Sequence, residues 1–259
     1  MQSALDFSGK VVIVTGGGKG VGKGISERFL EAGADVAICG RSEPEGLPTA
    51  NGRTAFFRAL DVRDPDAVQA FVNEVAEHFG RIDVLVNNAG GAPFADAATA
   101  SPRFSESIVR LNLLAPLFFA QACNAVMQQQ QSGGSIVNIA SVSAQRPSPG
   151  TAAYGAAKAG LMNLGTSLAV EWAPKVRCNT IIAGLIRTEQ SHLHYGDEEG
   201  IAAVGRTIPL GRMAVPQDIA DACLFLASDM ASYISGASLT VHGGGEKPAF
   251  LDAANVDKK

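Results

Sequence analysis

Short apolar runs alternate along the chain with longer segments whose apolar positions recur every three or four residues. Residues 10–15 (KVVIVT) are largely β-branched, the make-up of a strand buried on both faces. A glycine-rich turn follows, and residues 21–32 then read as an amphipathic helix stopped by Gly33. Residues 35–39 (DVAIC), 54–60, 82–86 (IDVLV), 135–139, 176–182 and 238–241 repeat the strand pattern. Helical stretches lie between them at 65–79, 107–131, 152–172 and 216–227. Asp64 is the expected N-cap of the first of these, with Pro65 at the first helical position. Strands separated by helices imply right-handed crossovers and one parallel sheet covered on both faces. The expectation is an α/β, doubly wound parallel sheet of about seven strands, in a single domain over residues 1–259.

Two stretches break the rhythm. Residues 185–214, rich in glycine, charge and histidine, stand between the sixth strand and a late helix. Ligands of such sheets sit at the carboxyl ends of the strands, so this insert is either a lid over a substrate or an ordinary surface excursion. Residues 245–259 form a tail whose Phe250 and Leu251 either cover a neighbouring subunit or fray.

Composition narrows the classes. Of 259 residues, 46% are hydrophobic and 18% charged, which excludes a disordered chain. A net charge of −4 offers no basic excess for nucleic acid or an anionic membrane. The first ten residues lack a positive start and an apolar core, so no signal peptide is expected. No uninterrupted apolar run approaches the ~18 residues of a membrane span. Cys39, Cys123, Cys178 and Cys223 are scattered among apolar neighbours with no metal or redox spacing. They read as buried reduced thiols in a cytoplasmic protein.

The glycine turn, TGGGKGVG at 15–22, sits between a buried strand and a helix, and that context makes it informative. Gly16 permits the tight turn, Gly20 lets backbone approach a pyrophosphate, and Gly22 lets helix pack on strand. The helix N-terminus then offers free N–H groups and a positive dipole end to phosphates. The reading is a Rossmann-like dinucleotide site; a glycine turn with no ligand is the alternative. At the end of the second strand an acidic residue would meet a ribose 2′-hydroxyl, whereas an arginine would neutralise a 2′-phosphate. Here the strand ends Cys39-Gly40-Arg41, and Lys19 adds a second cation nearby. Both favour NADP(H), with NAD(H) as the alternative if they are merely solvated.

Ser141 follows the fifth strand, and Tyr154 and Lys158 stand at i and i+4 on the next helix. That spacing puts phenol and ammonium on one helical face. Tyrosine titrates near ~10 in water, and a fixed cation beside it favours phenolate and makes it a usable general acid/base. Ser141 could orient the substrate oxygen.

The chain resembles the short-chain dehydrogenase/reductases of the short, single-domain branch, including 3-oxoacyl reductases. The motifs fall in order: TGGGKGVG at 15–22, Asp61-Val62, NNAG at 87–90, Asn112, Ser141 and YGAAK at 154–158. The resemblance implies that Tyr154 exchanges the proton, Lys158 holds the nicotinamide ribose, Ser141 orients the carbonyl and Asn112 supports a water in a proton relay. It further implies cofactor contacts from Gly16, Gly18, Lys19, Gly20, Val21, Gly22 and Arg41. Asp61 and Val62 would meet adenine, and Asn88, Ala89 and Gly90 would line the cofactor. Where the family usually has Pro-Gly after the sixth strand, this chain has Ala183-Gly184. Alanine does not lock φ, so the loop through Ile186 and Thr188, also expected at the nicotinamide, would be looser. A homotetramer built partly on the two long helices is implied as well.

The expected activity is interconversion of a secondary alcohol and a ketone. Candidate substrates are a 3-oxoacyl thioester or a steroid-like or alicyclic compound. The rival is a non-enzymatic nucleotide-binding regulatory protein on the same fold. Residues 91–94, 143–146 and 185–214 are the expected substrate contacts. Arg146 or Arg187 could pair with an anionic group, or be surface cations. His192 and His194 lack a third ligand at useful spacing and read as loop residues rather than a metal site.

Overall fold

A computed structural model of the chain describes residues 5–253. Seven strands form one parallel sheet: β1 (Val11–Thr15), β2 (Asp35–Gly40), β3 (Phe56–Ala59), β4 (Val84–Asn87), β5 (Gly134–Ser141), β6 (Val176–Ala183) and β7 (Ser238–Val241). They lie in the order β3-β2-β1-β4-β5-β6-β7. Chain order reverses between β1 and β4, and a crevice opens there at the carboxyl edge. Every residue of β1 and β4 is buried. Side chains alternate across the sheet. Ile13, Leu85 and Ile136 point into one core with Phe71 and Phe119, while Val12, Val14 and Val137 point into the other with Phe29 and Ile219.

The helices are α1 (Gly20–Glu31), α2 (Pro65–Phe79), α3 (Pro102–Met127), α4 (Ala152–Glu171), α5 (His192–Tyr195), α6 (Glu198–Thr207), α7 (Pro216–Ala227) and α8 (Phe250–Ala253). Asp64 caps α2 as expected, its carboxylate accepting from the backbone N–H groups of Asp66 and Ala67 at 3.0 and 3.3 Å. By length and mean hydropathy (1.3) α3 could cross a membrane, but Phe119, Ala120, Cys123 and Met127 on it are buried in the core.

The elements depart from the sequence expectation in four places. The expected third strand is split, with Thr49–Ala50 and Arg53–Thr54 forming a separate small hairpin before β3. The long helix starts earlier than 107, because Ser101 caps it through the N–H of Phe104 at 3.2 Å. It also ends at Met127, and the glutamine run beyond acts as a bracket. The Gln130 amide accepts from the N–H of Ile82 and donates to its carbonyl, both at 2.8 Å. Residues 185–214 are more regular than expected: α5 and α6 enclose a small core of Ile201, Ile208 and Met213. In the expected tail, residues 254–259 and the side chain of Leu251 lie outside the described residues.

Candidate active site

The crevice is a cleft of about 590 Å³ running from β3 to β6 along the strands' carboxyl ends. That volume lies within the ~300–1,000 Å³ of small-molecule and cofactor sites. At its centre, the turn between β1 and α1 is drawn tight by backbone. A Cβ on Gly22 would stand 2.2 Å from the carbonyl oxygen of Gly16, so only glycine fits there. Thr15 ties the turn to the end of β4. Its Oγ1 accepts from the N–H groups of Asn88 and Ala89 at 3.0 and 2.9 Å, and the Asn88 amide donates back to the Thr15 carbonyl at 2.9 Å. Ser26, one turn into α1, donates to the carbonyls of Gly17 and Gly22 at 3.0 and 2.9 Å. The sequence reading missed Ser26; its position four residues after Gly22 was the available signal.

Toward β2 the cleft wall carries Arg41, Asp61, Val62 and Arg63. Arg63 grips Asp61, with Nε 2.9 Å from Oδ1, and this hydrogen bonding pulls the Asp61 carboxyl down to about 2. Arg41 adds to that pull through space. Arg63 was not anticipated, although an arginine two residues past the Asp61-Val62 motif was visible.

Toward β5 and β6 stand Ser141, Tyr154 and Lys158. Ser141 ends β5, while Tyr154 and Lys158 lie one turn apart near the start of α4. Lys158 is buried, donates to the carbonyl of Ile139 at 2.7 Å and lies 5.7 Å from the centre of the Tyr154 ring. Burial lowers its ammonium from 10.5 to about 8. Burial also pushes the Tyr154 phenol up, and a hydrogen bond with Ser141 pulls the other way. Within the protein, desolvation therefore dominates the phenol, and the counterweight comes from Ser141 instead of the expected Lys158.

Asn112 sits behind this wall. The backbone widens into a π turn at Arg110–Leu114 and carries Asn112 inward, fully buried. Its Oδ1 accepts from the Gly91 N–H at 2.9 Å, and its Nδ2 donates to the carbonyls of Gly91 and Ile108, both at 2.9 Å. A Cβ on Gly90 would stand 2.6 Å from that Oδ1 and 3.1 Å from the Lys158 ammonium nitrogen, so glycine keeps these two groups close. The Asn112 side chain thus clamps the loop after β4.

The loop after β6 is firmer than its Ala183-Gly184 sequence implies. Ala183 is the last residue of β6, and beyond it Ile186 bridges to Ala214, with the N–H of Arg187 donating to Ala214 at 2.8 Å. Glu189 then reaches across the cleft, and its Oε1 accepts from the N–H of Gly20 at 2.9 Å. That N–H belongs to the α1 N-terminus, where a phosphate would be held. All of Gly16, Gly18, Lys19, Gly20, Val21, Gly22, Asn88, Ala89, Gly90, Gly184, Ile186 and Thr188 line this one cleft. Glycine cradle, helix N-terminus and flanking cations fit a dinucleotide, with Glu189 on the Gly20 N–H as the one anion already at that helix end among the described residues.

The arginines expected to meet an anion are both engaged. Arg146 pairs with Glu246 at 2.6 Å, and Arg187 with Glu198 at 2.7 Å. His192 points its Nδ1 at the carbonyl of Glu189 at 3.0 Å, and no metal-binding group of three or more His, Cys, Asp or Glu residues occurs among the described residues. Phe94 lies over Gly150, and the N–H of Ala95 donates to the Gly150 carbonyl at 2.8 Å. This latches the loop after β4 to the one after β5. Beside the latch, an apolar side cavity of about 130 Å³ reaches Tyr154.

Residues 16–246 match a family model described as enoyl-(acyl carrier protein) reductase. The chain is 35% identical over 244 residues to a probable 2,4-dienoyl-CoA reductase of Bacillus subtilis, covering 91% of this chain and 96% of the relative. It is 38% identical over 254 residues to D-threitol dehydrogenase of Mycolicibacterium smegmatis, covering 94% and 96%. Among solved structures it resembles the ligand-free aldohexose dehydrogenase of Thermoplasma acidophilum, with a TM-score of 0.86 and 31% identity over the whole of both chains.

Proposed function

The chain belongs to the short-chain dehydrogenase/reductase family, and we propose that it interconverts a secondary alcohol and a ketone by hydride transfer, with Tyr154 as general acid/base and NADP(H) preferred to NAD(H). The observation that carries this reading is the convergence of Ser141, Tyr154 and Lys158 on the end of a glycine-lined cleft.

The α1 N-terminus and the glycine turn would hold the pyrophosphate, Asp61 and Val62 the adenine, and Lys158 the nicotinamide ribose. Arg41 and Lys19 support the phosphorylated cofactor, since both are exposed cations on the cleft wall and Arg63, beside Arg41, already neutralises Asp61. When bound, the nicotinamide gives or takes the hydride at the substrate carbon. Tyr154 gives the proton to the carbonyl oxygen in reduction and takes it from the hydroxyl in oxidation. Ser141 donates a hydrogen bond to the same oxygen and fixes its distance from the phenol. Lys158, held by the Ile139 carbonyl, keeps a positive charge at the phenol's side and favours its ionised form as the proton leaves. Asn112 keeps the loop at Gly90 and Gly91 in place, so that Lys158 is not displaced.

The reading extends to a cytoplasmic homotetramer. Four buried free cysteines support a reducing compartment, and the exposed Val170 on α4 supports assembly through the long helices. Light scattering should give four times the chain mass, and a stable monomer would sink the assembly.

Tyr154→Phe tests the mechanism. Cofactor binding, followed by NADPH fluorescence, should persist while kcat falls roughly 10²–10⁴-fold, the usual reach of general acid–base catalysis. Turnover near wild type would end the Tyr154 reading. A protein that bound the cofactor but turned over no alcohol or ketone would favour the regulatory alternative.

A further inference from the structure

The N-terminus of α1 has no cap from its own neighbourhood. Lys19 stands at the N-cap position without a side-chain hydrogen bond, and the first turn carries no acidic residue. The first N–H groups of a helix need a partner from elsewhere. Here one comes from 169 positions away, where Glu189 Oε1 accepts from the Gly20 N–H at 2.9 Å. The turn is shaped for this approach. Gly20 has a φ of +51°, which favours glycine, and a Cβ there would stand 3.6 Å from Cγ2 of Thr188 and 3.8 Å from Glu189 Oε1.

The Glu189 backbone is held from behind. The Thr188 N–H donates to Oγ of the buried Ser191 at 2.9 Å, and the Ser191 N–H donates to the Thr188 carbonyl at 3.1 Å. The His192 Nδ1 lies 3.0 Å from the Glu189 carbonyl. The side chain itself is exposed, and the Gly20 N–H is the one partner of its carboxylate among the described residues. A fixed backbone and a lightly held side chain describe a group that can leave and return to the same place.

We propose that Glu189 is an internal competitor of the cofactor. Its carboxylate occupies the phosphate seat at α1 in the empty protein, leaves before the pyrophosphate is seated, and returns when the cofactor departs. This goes beyond the alcohol–ketone reading and rests only on the cofactor part of it.

One donor faces two anions. A backbone N–H is a single donor, and the positive end of α1 attracts carboxylate and phosphate alike. Thr188, Glu189 and Gln190 all line the cleft, so the contact closes across the volume the cofactor would fill. Two negative groups brought to one N–H repel each other, so occupation by one excludes the other. The apparent affinity for cofactor is then the intrinsic affinity reduced by the fraction of molecules whose seat is open. An exposed charge at a helix N-terminus holds only weakly, which sets that reduction at about two- to fivefold.

The test uses the full-length protein without substrate, so that no readout depends on turnover. Wild type, Glu189→Gln, Glu189→Ala and Glu189→Asp are titrated by fluorescence with NADPH and with NADH. Inorganic pyrophosphate and adenosine are titrated as displacers, and association is followed by stopped flow. Each variant should bind the preferred cofactor about two- to fivefold more tightly, through faster association. Pyrophosphate should gain by the same factor, and adenosine, which lacks phosphate, should gain nothing. Glu189→Asp keeps the charge but is too short to reach Gly20, so it should behave like Glu189→Gln. The empty Glu189→Ala protein should melt below empty wild type, having lost its cap, while the two melt together at saturating cofactor. Unchanged or weaker cofactor binding in Glu189→Gln and Glu189→Ala overturns the inference. So does wild-type affinity in Glu189→Asp, because charge alone would then account for the gain, and so does an equal gain for adenosine. If no form binds NADPH or NADH, the cofactor reading falls as well.

Discussion

The two ends of the cleft are built by different means. At the cofactor end the wall is main chain, packed on glycines and tied by short side chains that bond to main-chain groups. The turn at Gly16–Gly22 closes because Gly22 has no Cβ, and the loop after β4 hangs on Thr15 and Asn112 through main-chain partners. At the substrate end, side chains hold loops. Arg146 meets Glu246, Arg187 meets Glu198, and the ring of Phe94 lies over Gly150. A backbone-built wall presents the same donors whatever side chains surround it, and so suits a cofactor of fixed shape. A wall of exchangeable ion pairs on loops can be re-cut for a new substrate without disturbing the sheet. Relatives that resemble the chain along nearly its whole length carry names as different as a dienoyl-CoA reductase and a threitol dehydrogenase.

Substitutions can break or sharpen the contrast. The largest effect is expected at Lys158, which touches both ends. Lys158→Met should lower kcat roughly 10²–10⁴-fold. It should also change the pH dependence of stability. The ammonium lies near 8 in the fold against 10.5 in the open chain, so between those values the unfolded chain binds more protons and stability rises with pH. Thermal melts from pH 7.5 to 10.5 should show wild type gaining relative to Lys158→Met; parallel curves would refute this. Next comes Gly22→Ala. Forcing a methyl against the Gly16 carbonyl should strain the turn by roughly 1–3 kcal/mol and weaken NADPH binding about 10–100-fold. If titration shows unaltered affinity, the cofactor end is not as backbone-bound as described. Arg41→Asp tests a side chain at that same end, and should shift the NADPH-to-NADH preference about tenfold toward NADH. Equal selectivity in wild type and variant would make Arg41 incidental. The smallest effect is expected at Glu189, the one carboxylate among the described residues that sits on a glycine-turn N–H. Glu189→Gln removes a negative charge from a phosphate-binding helix end and should tighten NADPH about two- to fivefold. Looser binding would mean that Glu189 supports the cofactor end instead of competing for it.

The same contrast decides what could be read from sequence. Most of the sheet and the glycine turn were legible, because buried parallel strands have a local apolar signature and glycine turns have a fixed spacing, whereas Ser26, Arg63 and Glu189 around that turn were not. Asn112, by contrast, was legible only through family resemblance, since nothing local marks a π turn. The insert at 185–214 was misjudged as irregular because its glycines and charges hide a short apolar set, Ile201, Ile208 and Met213, that closes only in three dimensions. The partners of Arg146 and Arg187 were out of reach for a related reason. Each arginine was recognised as a possible anion contact, but only folding shows that Glu246 and Glu198 already answer them. The bracket that Gln130 makes on Ile82 was hidden inside what reads as a low-information polar tail.

The π turn at Arg110–Leu114 also constrains how this gene can change length. A π turn is a helix holding one residue more than regular winding allows. Losing a single codon there would remove that residue and restore the α-helix, closing the widening that carries Asn112 inward while the turns on either side stay in phase. Asn112 would then lose the place from which its side chain meets Gly91 and the carbonyl of Ile108. Gaining a codon would rotate one flank against the other by about 100°, the angle per residue of a 3.6-residue turn. Inserted and deleted triplets should therefore be tolerated in the exposed hairpin turn at residues 51–52, and should abolish activity between residues 108 and 116 even when every codon for a catalytic residue is intact.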